Sequence, residues 1–272
     1  MTWMGDYPFL KGHGTENDFV LLPDHDGTVH GELSPERVRA LCDRRAGLGA
    51  DGVLRVVRET GPDSGAEWFM DYRNSDGSLS EMCGNGIRVF ALHLAQEGLV
   101  DPTQPVPIGT RDGVKVLTFD GDRITADMGT PKILGETVVS VGPRSWPARH
   151  VDMGNPHAVA FVSSLDEAGP LLEQPGYDAR LYPQGVNIEF VVPRGPAHLA
   201  MRVHERGSGE TRSCGTGACA VMIAAALADG AARDTAYTID LPGGTLSVTW
   251  TADDRVLMTG PAVIVARGTT SL

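Results

Sequence analysis

The pattern Cys-Gly-x-Gly occurs twice in this chain, and each time it opens an apolar run of helical length. Cys83-Gly84-Asn85-Gly86 leads into IRVFALHLAQ, closed by Gly98. Cys214-Gly215-Thr216-Gly217 leads into ACAVMIAAALAD, closed by Gly230. A polar, turn-rich loop precedes each copy, and Asn74 and Glu205 stand at the same distance upstream of their respective cysteines. Such a duplication predicts two related halves, each with a thiol at the start of a helix. A helix start exposes unsatisfied N–H groups and a partial positive charge, so it receives carboxylates readily. Glycines at 84, 86, 215 and 217 let a ligand come close to that backbone. The same field is expected to lower the pKa of both cysteines. Two such thiols flanking one carbon could take a proton from one face and deliver another to the opposite face.

The rest of the chain reads mostly as short β-branched and apolar runs separated by turns, for example VKVLTFDGDRITADM, where Asp-Gly-Asp reverses the strand. Helical signals are few. Ser34 to Arg45 carries Ser34 as N-cap and Pro35 at the first helical position; Leu165 to Leu172 and the two cysteine-led runs are the others. Regular strand–helix alternation is missing, so the expected class is α+β: two pseudo-symmetric domains, each a largely antiparallel sheet or barrel wrapped around a central helix. A Gly/Pro break at Met128-Gly129-Thr130-Pro131 places the boundary roughly midway. It gives an N-terminal domain of 1–127 carrying Cys83 and a C-terminal domain of 128–261 carrying Cys214. The last strand, about 262–272, is expected to return to the first domain.

Composition removes several classes of function. The 272 residues suffice for two cores. A formal charge of −12 argues against nucleic-acid backbone binding. No apolar stretch is long enough for a membrane span, and the start lacks a secretory layout, so a cytoplasmic location is expected. The four cysteines form no C-x-x-C pair and have no histidines at ligand spacing, which argues against a metal site. Cys42 and Cys219 sit in helical apolar rows and read as buried spectators. Gly215 to Ala220 formally matches G-x-G-x-x-A, but a polar loop precedes it where a dinucleotide fold needs a buried strand. None of the three lysines, Lys11, Lys115 and Lys132, sits in a setting like that of a pyridoxal site. No cofactor is expected, so two helix N-termini must stabilise any carbanion, at ~3–4 kcal/mol per donor.

The blocks His13-Gly14-Thr15-Glu16-Asn17-Asp18-Phe19, Asn74 to Ser78, Met82 to Gly86 and Met153-Gly154-Asn155-Pro156-His157 resemble the diaminopimelate epimerase family. So do Val186-Asn187, Glu205 to Thr211, Ser213 to Gly217, Asp240 to Gly244 and Met258-Thr259-Gly260, in family order over nearly the whole length. This resemblance implies a pyridoxal-independent isomerase that interconverts LL- and meso-diaminopimelate in lysine and cell-wall precursor synthesis, and a homodimer. It implies Cys83 and Cys214 as the catalytic pair, tuned by His157 and Glu205. Substrate would be held by Asn17, Asn74, Asn155, Asn187, Glu205 and Arg206, and its reacting carboxylate by the backbone of Gly84-Asn85 and Gly215-Thr216. Three positions depart from the family pattern: Gly52 where glutamine is frequent, Thr216 for serine, and Glu16 where glycine is common.

Bland readings stand beside these. Each asparagine could be a turn residue, Arg206 a solvated charge, and His157 a structural histidine; His13 is expected to shape a turn or brace the site. The competing functions are a proline racemase-like or hydroxyproline epimerase-like enzyme, a thiol hydrolase with a Cys83–His157–Asn155 triad, and a non-catalytic amino-acid binder. The first typically carries histidine where this chain has Asn85. The second gives Cys214 no role, and the third gives two reactive-type thiols no benefit.

Overall fold

The computed structural model describes residues 5–59, 61 and 65–272. The chain begins with β1 (Tyr7–Gly14), β2 (Asn17–Pro23), α1 (Pro35–Cys42), β3 (Gly52–Arg58) and β4 (Trp68–Asn74). Next come α2 (Gly84–Gln96), β5 (Val106–Thr110), β6 (Gly113–Asp120) and β7 (Arg123–Asp127). A second series runs β8 (Lys132–Val141), β9 (Arg144–Asp152), β10 (Pro156–Phe161), a 3-10 turn (Leu165–Ala168), β11 (Asn187–Gly195) and β12 (His198–Glu205). It continues through β13 (Gly209–Thr211), α3 (Gly215–Asp229), β14 (Ala236–Leu241), β15 (Gly244–Trp250) and β16 (Val256–Pro261), and β17 (Val263–Thr270) closes the chain. Two compact units result. Met1–Ala126 with Pro261–Leu272 makes the first, and Asp127–Gly260 the second.

The sheets of the two units have the same order. In the first, β17-β1-β2 are antiparallel, β2–β3 parallel, β3–β4 antiparallel, β4–β5 parallel and β5-β6-β7 antiparallel. In the second, β8-β9-β10 are antiparallel, β10–β11 parallel, β11–β12 antiparallel, β12–β14 parallel and β14-β15-β16 antiparallel. The source of the outermost strand differs: β8 precedes its partner directly, whereas β17 arrives from the far end of the chain. The fold class is therefore the expected one. Each parallel pair demands a crossover. In both units the second crossover is the central helix, α2 or α3.

Those helices are buried because they are apolar on nearly every side. In α3 the residues Gly217 to Ala226 are all buried, and the helix packs on β9, β10, β11, β14 and β15. In α2, Ile87, Val89, Phe90, Ala91 and Leu94 are buried against β1 to β4 and β17. The first crossovers are less alike. Ser34 caps α1, its Oγ accepting the Arg37 N–H at 3.3 Å, with Pro35 in the first turn. Its counterpart, the expected helix from Leu165 to Leu172, shrinks to one 3-10 turn. Pro170 supplies no N–H and disfavours helical backbone at Gly169, whose φ is +62°.

β1 was not foreseen, since Pro8 and the glycines of Lys-Gly-His-Gly disguise its alternating burial. His13 lies in this strand, and its Nδ1 accepts the Glu16 N–H at 3.2 Å across the β1–β2 turn. Thr15 and Glu16, the two turn residues, have φ of 49° and 61°. A hairpin of this kind favours glycine or asparagine. Glu16→Gly should raise stability by about 0.5–1 kcal/mol, the relief of left-handed strain exceeding the added chain entropy. The midpoint of urea unfolding measures it.

Buried imidazoles make the first unit acid-sensitive. Burial and the Arg37 charge push His30 down to about 4. Burial likewise brings His93 down to about 4, and neither of its ring nitrogens has a hydrogen-bond partner in the protein. Each binds a proton more tightly when unfolded, so its contribution is complete above the unfolded value near 6.5 and is lost as pH falls toward 4. Urea melts should show a loss of about 2 kcal/mol per histidine between neutral pH and about pH 5. A His93→Leu variant should show about half that dependence.

Candidate active site

In the first unit, Cys83 is the N-cap of α2. Its backbone is extended (φ −140°, ψ 120°), and its Sγ accepts the Gly86 N–H at 3.4 Å. The half-buried sulfur lies 3.5 Å from Asn17 Oδ1. Asn17 is fixed from both ends: Nδ2 donates to Asp51 Oδ2 at 2.8 Å, and Oδ1 accepts from Asn85 Nδ2 at 3.2 Å. Asn85 Oδ1 in turn accepts from the wholly buried Arg88 at 2.9 Å. Arg88 also donates to Gly84 O at 3.0 Å. Arg88 and Asp51 thus orient the predicted Cys83–Asn17–Asn85 group, and neither was foreseen. The signal for Arg88 was a lone arginine in the apolar run after Cys83.

Asn74 is bound to Ser78. Its Nδ2 donates to Ser78 Oγ at 3.0 Å and its backbone N–H to Ser78 O, so its contacts close the loop after β4. Gly52 pairs with it in register. A Cβ on Gly52 would come within 2.5 Å of Arg73 O and 2.6 Å of Tyr72 Cε2. The Tyr72 ring, packed edge-on against Phe19, occupies the space that a larger residue at 52 would need.

In the second unit, Cys214 caps α3 in the same way, with Gly217 N–H donating to Sγ at 3.3 Å and Thr216 Oγ1 at 3.6 Å. Here the sulfur is buried. His157 is fully buried, Nδ1 lying 2.6 Å from Glu189 Oε1 and Nε2 3.0 Å from Asn155 Oδ1. Asn187 Nδ2 donates to Pro156 O at 3.1 Å, and Oδ1 accepts the Arg206 backbone N–H at 2.9 Å. The Arg206 side chain is exposed and reaches Gln184 O at 3.4 Å. Glu205 accepts a hydrogen bond from Thr211 Oγ1.

One expectation is overturned. Cys214 is pushed well above the usual thiol range, first by burial, then by the Glu205 and Glu189 charges, against the opposing pull of Thr216 and the Gly217 N–H. Burial also raises Glu205, with Glu189 adding to the effect while Thr211, His157 and Cys214 oppose it. The helix field is real, but desolvation and two carboxylates outweigh it. Cys214 is therefore held as a thiol. Cys42 and Cys219 are also buried, and burial takes Cys42 up to about 12.

Two units of this sheet order, each around a central helix, make a fold with solved members. A phenazine biosynthesis protein of the PhzF family from Bacillus anthracis superposes with a TM-score of 0.73 at 15% identity, covering 98% of this chain and 99% of that one. A hydroxyproline epimerase from Agrobacterium vitis gives 0.69 at 15% identity, covering 99% and 92%. At that identity the likeness is one of fold alone.

Sequence narrows it further. The family model for diaminopimelate epimerase matches residues 9–134 and 149–265, and the chain belongs to this family. It is 58% identical to the diaminopimelate epimerase of Streptomyces coelicolor, covering 96% of this chain and 94% of that protein. Against the enzyme named alike from Corynebacterium aurimucosum the figures are 47%, 97% and 99%; for that of Thermobifida fusca they are 45%, 96% and 96%.

Proposed function

We propose that this chain epimerises diaminopimelate, interconverting the LL and meso forms by a two-thiol reaction without pyridoxal phosphate or metal, in lysine and cell-wall precursor synthesis. The observation that carries the chemistry is the matched pair of caps: in each unit a cysteine sulfur accepts the third N–H of a buried central helix. Family membership carries the substrate.

In one direction Cys83, as thiolate, takes the α-proton and becomes a thiol. The electron pair left on carbon spreads into the carboxylate, which the backbone N–H groups of Gly84-Asn85 and Gly215-Thr216 would receive. Cys214 then gives its proton to the opposite face and becomes the thiolate, so the reverse reaction starts with the roles exchanged. The raised pKa of Cys214 supports the acid role for it before substrate binds. A substrate ammonium beside Glu205 would offset one of the charges that keep Cys214 protonated, so binding itself eases the exchange of roles. Asn155, Asn187 and Arg206 would receive the distal centre, and Asn17 and Asn74 would complete the pocket.

The hydrolase reading loses support because both ring nitrogens of His157 are engaged, by Glu189 and Asn155, leaving none for a nucleophile. A homodimer in the cytoplasm is the proposed setting. Val263 and Val265 on β17, 42% and 56% exposed, offer apolar surface for an assembly. Among the described residues no helix is long and apolar enough to cross a membrane.

The test is incubation of purified protein with LL-diaminopimelate in deuterium oxide, with a chelator and no added cofactor. Formation of the meso isomer with one deuterium at the inverted carbon is expected. Turnover of proline or hydroxyproline with none of diaminopimelate would overturn the substrate, and loss of activity to the chelator would overturn the mechanism.

A further inference from the structure

We propose that Glu189, in β11, is a positioning residue for proton transfer at Cys214, holding the His157 ring in place and setting the charge beside the thiol. This rests on the reading of Cys214 as an acid–base group. The first six residues of β11, Asn187 to Val192, are all buried, and Glu189 is 0% exposed. A valine or isoleucine would fill that position without desolvating a charge, whereas a buried carboxylate carries a large desolvation cost. A local choice so unfavourable to stability points to a use.

The geometry indicates the use. Oε1 lies 2.6 Å from His157 Nδ1, while Oε2 is buried with no hydrogen-bond partner in the protein. Oε1 also stands 2.8 Å from the point a Cβ on Gly217 would occupy, and Cys214 Sγ stands 3.2 Å from the same point. Carboxylate and sulfur therefore crowd one glycine of the first turn of α3. A carboxylate only accepts, so His157 Nδ1 donates to Glu189, while Nε2 is turned to Asn155 Oδ1, an amide oxygen that likewise accepts. The other titratable groups around this carboxylate are Glu205 from β12, Cys214 from α3, Tyr182 from the segment before β11, and His150 from β9, which faces His157. Without Glu189 the ring could turn, Asn155 would lose its anchor, and the thiol would lose one neighbouring negative charge.

Glu189→Gln keeps the shape and removes the charge. It should lower kcat by about tenfold to a hundredfold, the scale known for losing the carboxylate partner of a metal-bound histidine, with KM nearly unchanged. Glu189→Asp keeps the charge but withdraws the oxygen by one methylene, and it should not restore kcat. In wild-type protein labelled with 15N-histidine, Nδ1 of His157 should carry a proton whose signal is strongly downfield and moves upfield in Glu189→Gln. Wild-type kcat in either folded variant would overturn the proposal, as would a wild-type His157 bearing its only proton on Nε2. If Glu189→Gln does not fold, the wild-type spectrum decides alone. Wild-type epimerisation by Cys214→Ala would instead remove the thiol assignment, and the His157 spectrum would still report on Glu189.

Discussion

Cys83→Ala and Cys214→Ala should each lower epimerisation by more than about a thousandfold, because in the proposed mechanism each removes the acid or base on one face of the carbon. Their hydrogen exchange should differ. With Cys214 gone, Cys83 still acts as a base on its own face. One of the two stereoisomers should therefore exchange its α-hydrogen with deuterium oxide without inverting. With Cys83 gone, the remaining sulfur is the one kept protonated by burial and by Glu205 and Glu189, so exchange should be lost as well. NMR of the α-position in both isomers separates these outcomes. Exchange surviving in Cys83→Ala but not in Cys214→Ala would reverse the assignment of resting base and acid. Cys42→Ala and Cys219→Ala should retain most activity, since both thiols are buried in the packing.

The duplicated cysteine motif carried much of this because a helix cap is a local device. Cys-Gly-x-Gly before an apolar run contains its own N-cap, its close-approach glycines and its buried helix, and both caps form as read. What escaped the sequence is set by strand register. His157 pairs with Asn187 in the parallel β10–β11 ladder, and Glu189 lies two residues on, on the same face. Val203 of β12 pairs with Glu189, so Glu205, two residues further, also falls on that face. Two carboxylates separated in sequence thus gather around one sulfur, and together with burial they reverse the shift a bare helix end would give. The same holds for one partner of Asn17: Asp51 comes from the segment just before β3, whereas Asn85 comes from the helix motif itself. β1 and the shortened helix at Leu165 were lost for the opposite reason: glycine and proline there obscure one element and truncate another.

The two caps look interchangeable in sequence, yet adding one methyl group should separate them. A Cβ on Gly86 would meet Leu54 Cδ2 at 3.3 Å, Phe19 Cζ at 3.4 Å and Cys83 Cβ at 3.5 Å. Two of these are ends of side chains, and a few tenths of an ångström of adjustment suffices. Alanine also gains about 1 kcal/mol over glycine in a helix, so Gly86→Ala should leave stability within about 1 kcal/mol of wild type and reduce kcat only modestly. At Gly217 the added carbon would stand 2.8 Å from Glu189 Oε1 and 3.2 Å from Cys214 Sγ. Neither group can retreat freely: Glu189 is tied to His157, and the sulfur is tied to the Gly217 N–H. Overpacking a core of this kind costs about 1–3 kcal/mol, exceeding the helical gain. Displacing a catalytic sulfur by an ångström costs about a hundredfold in rate. Gly217→Ala should therefore lower both the unfolding midpoint and kcat, with kcat falling at least about tenfold further than in Gly86→Ala. Equal losses in the two variants would mean that the carboxylate is free to move away from Gly217 and that the crowding around Cys214 plays no part in placing it.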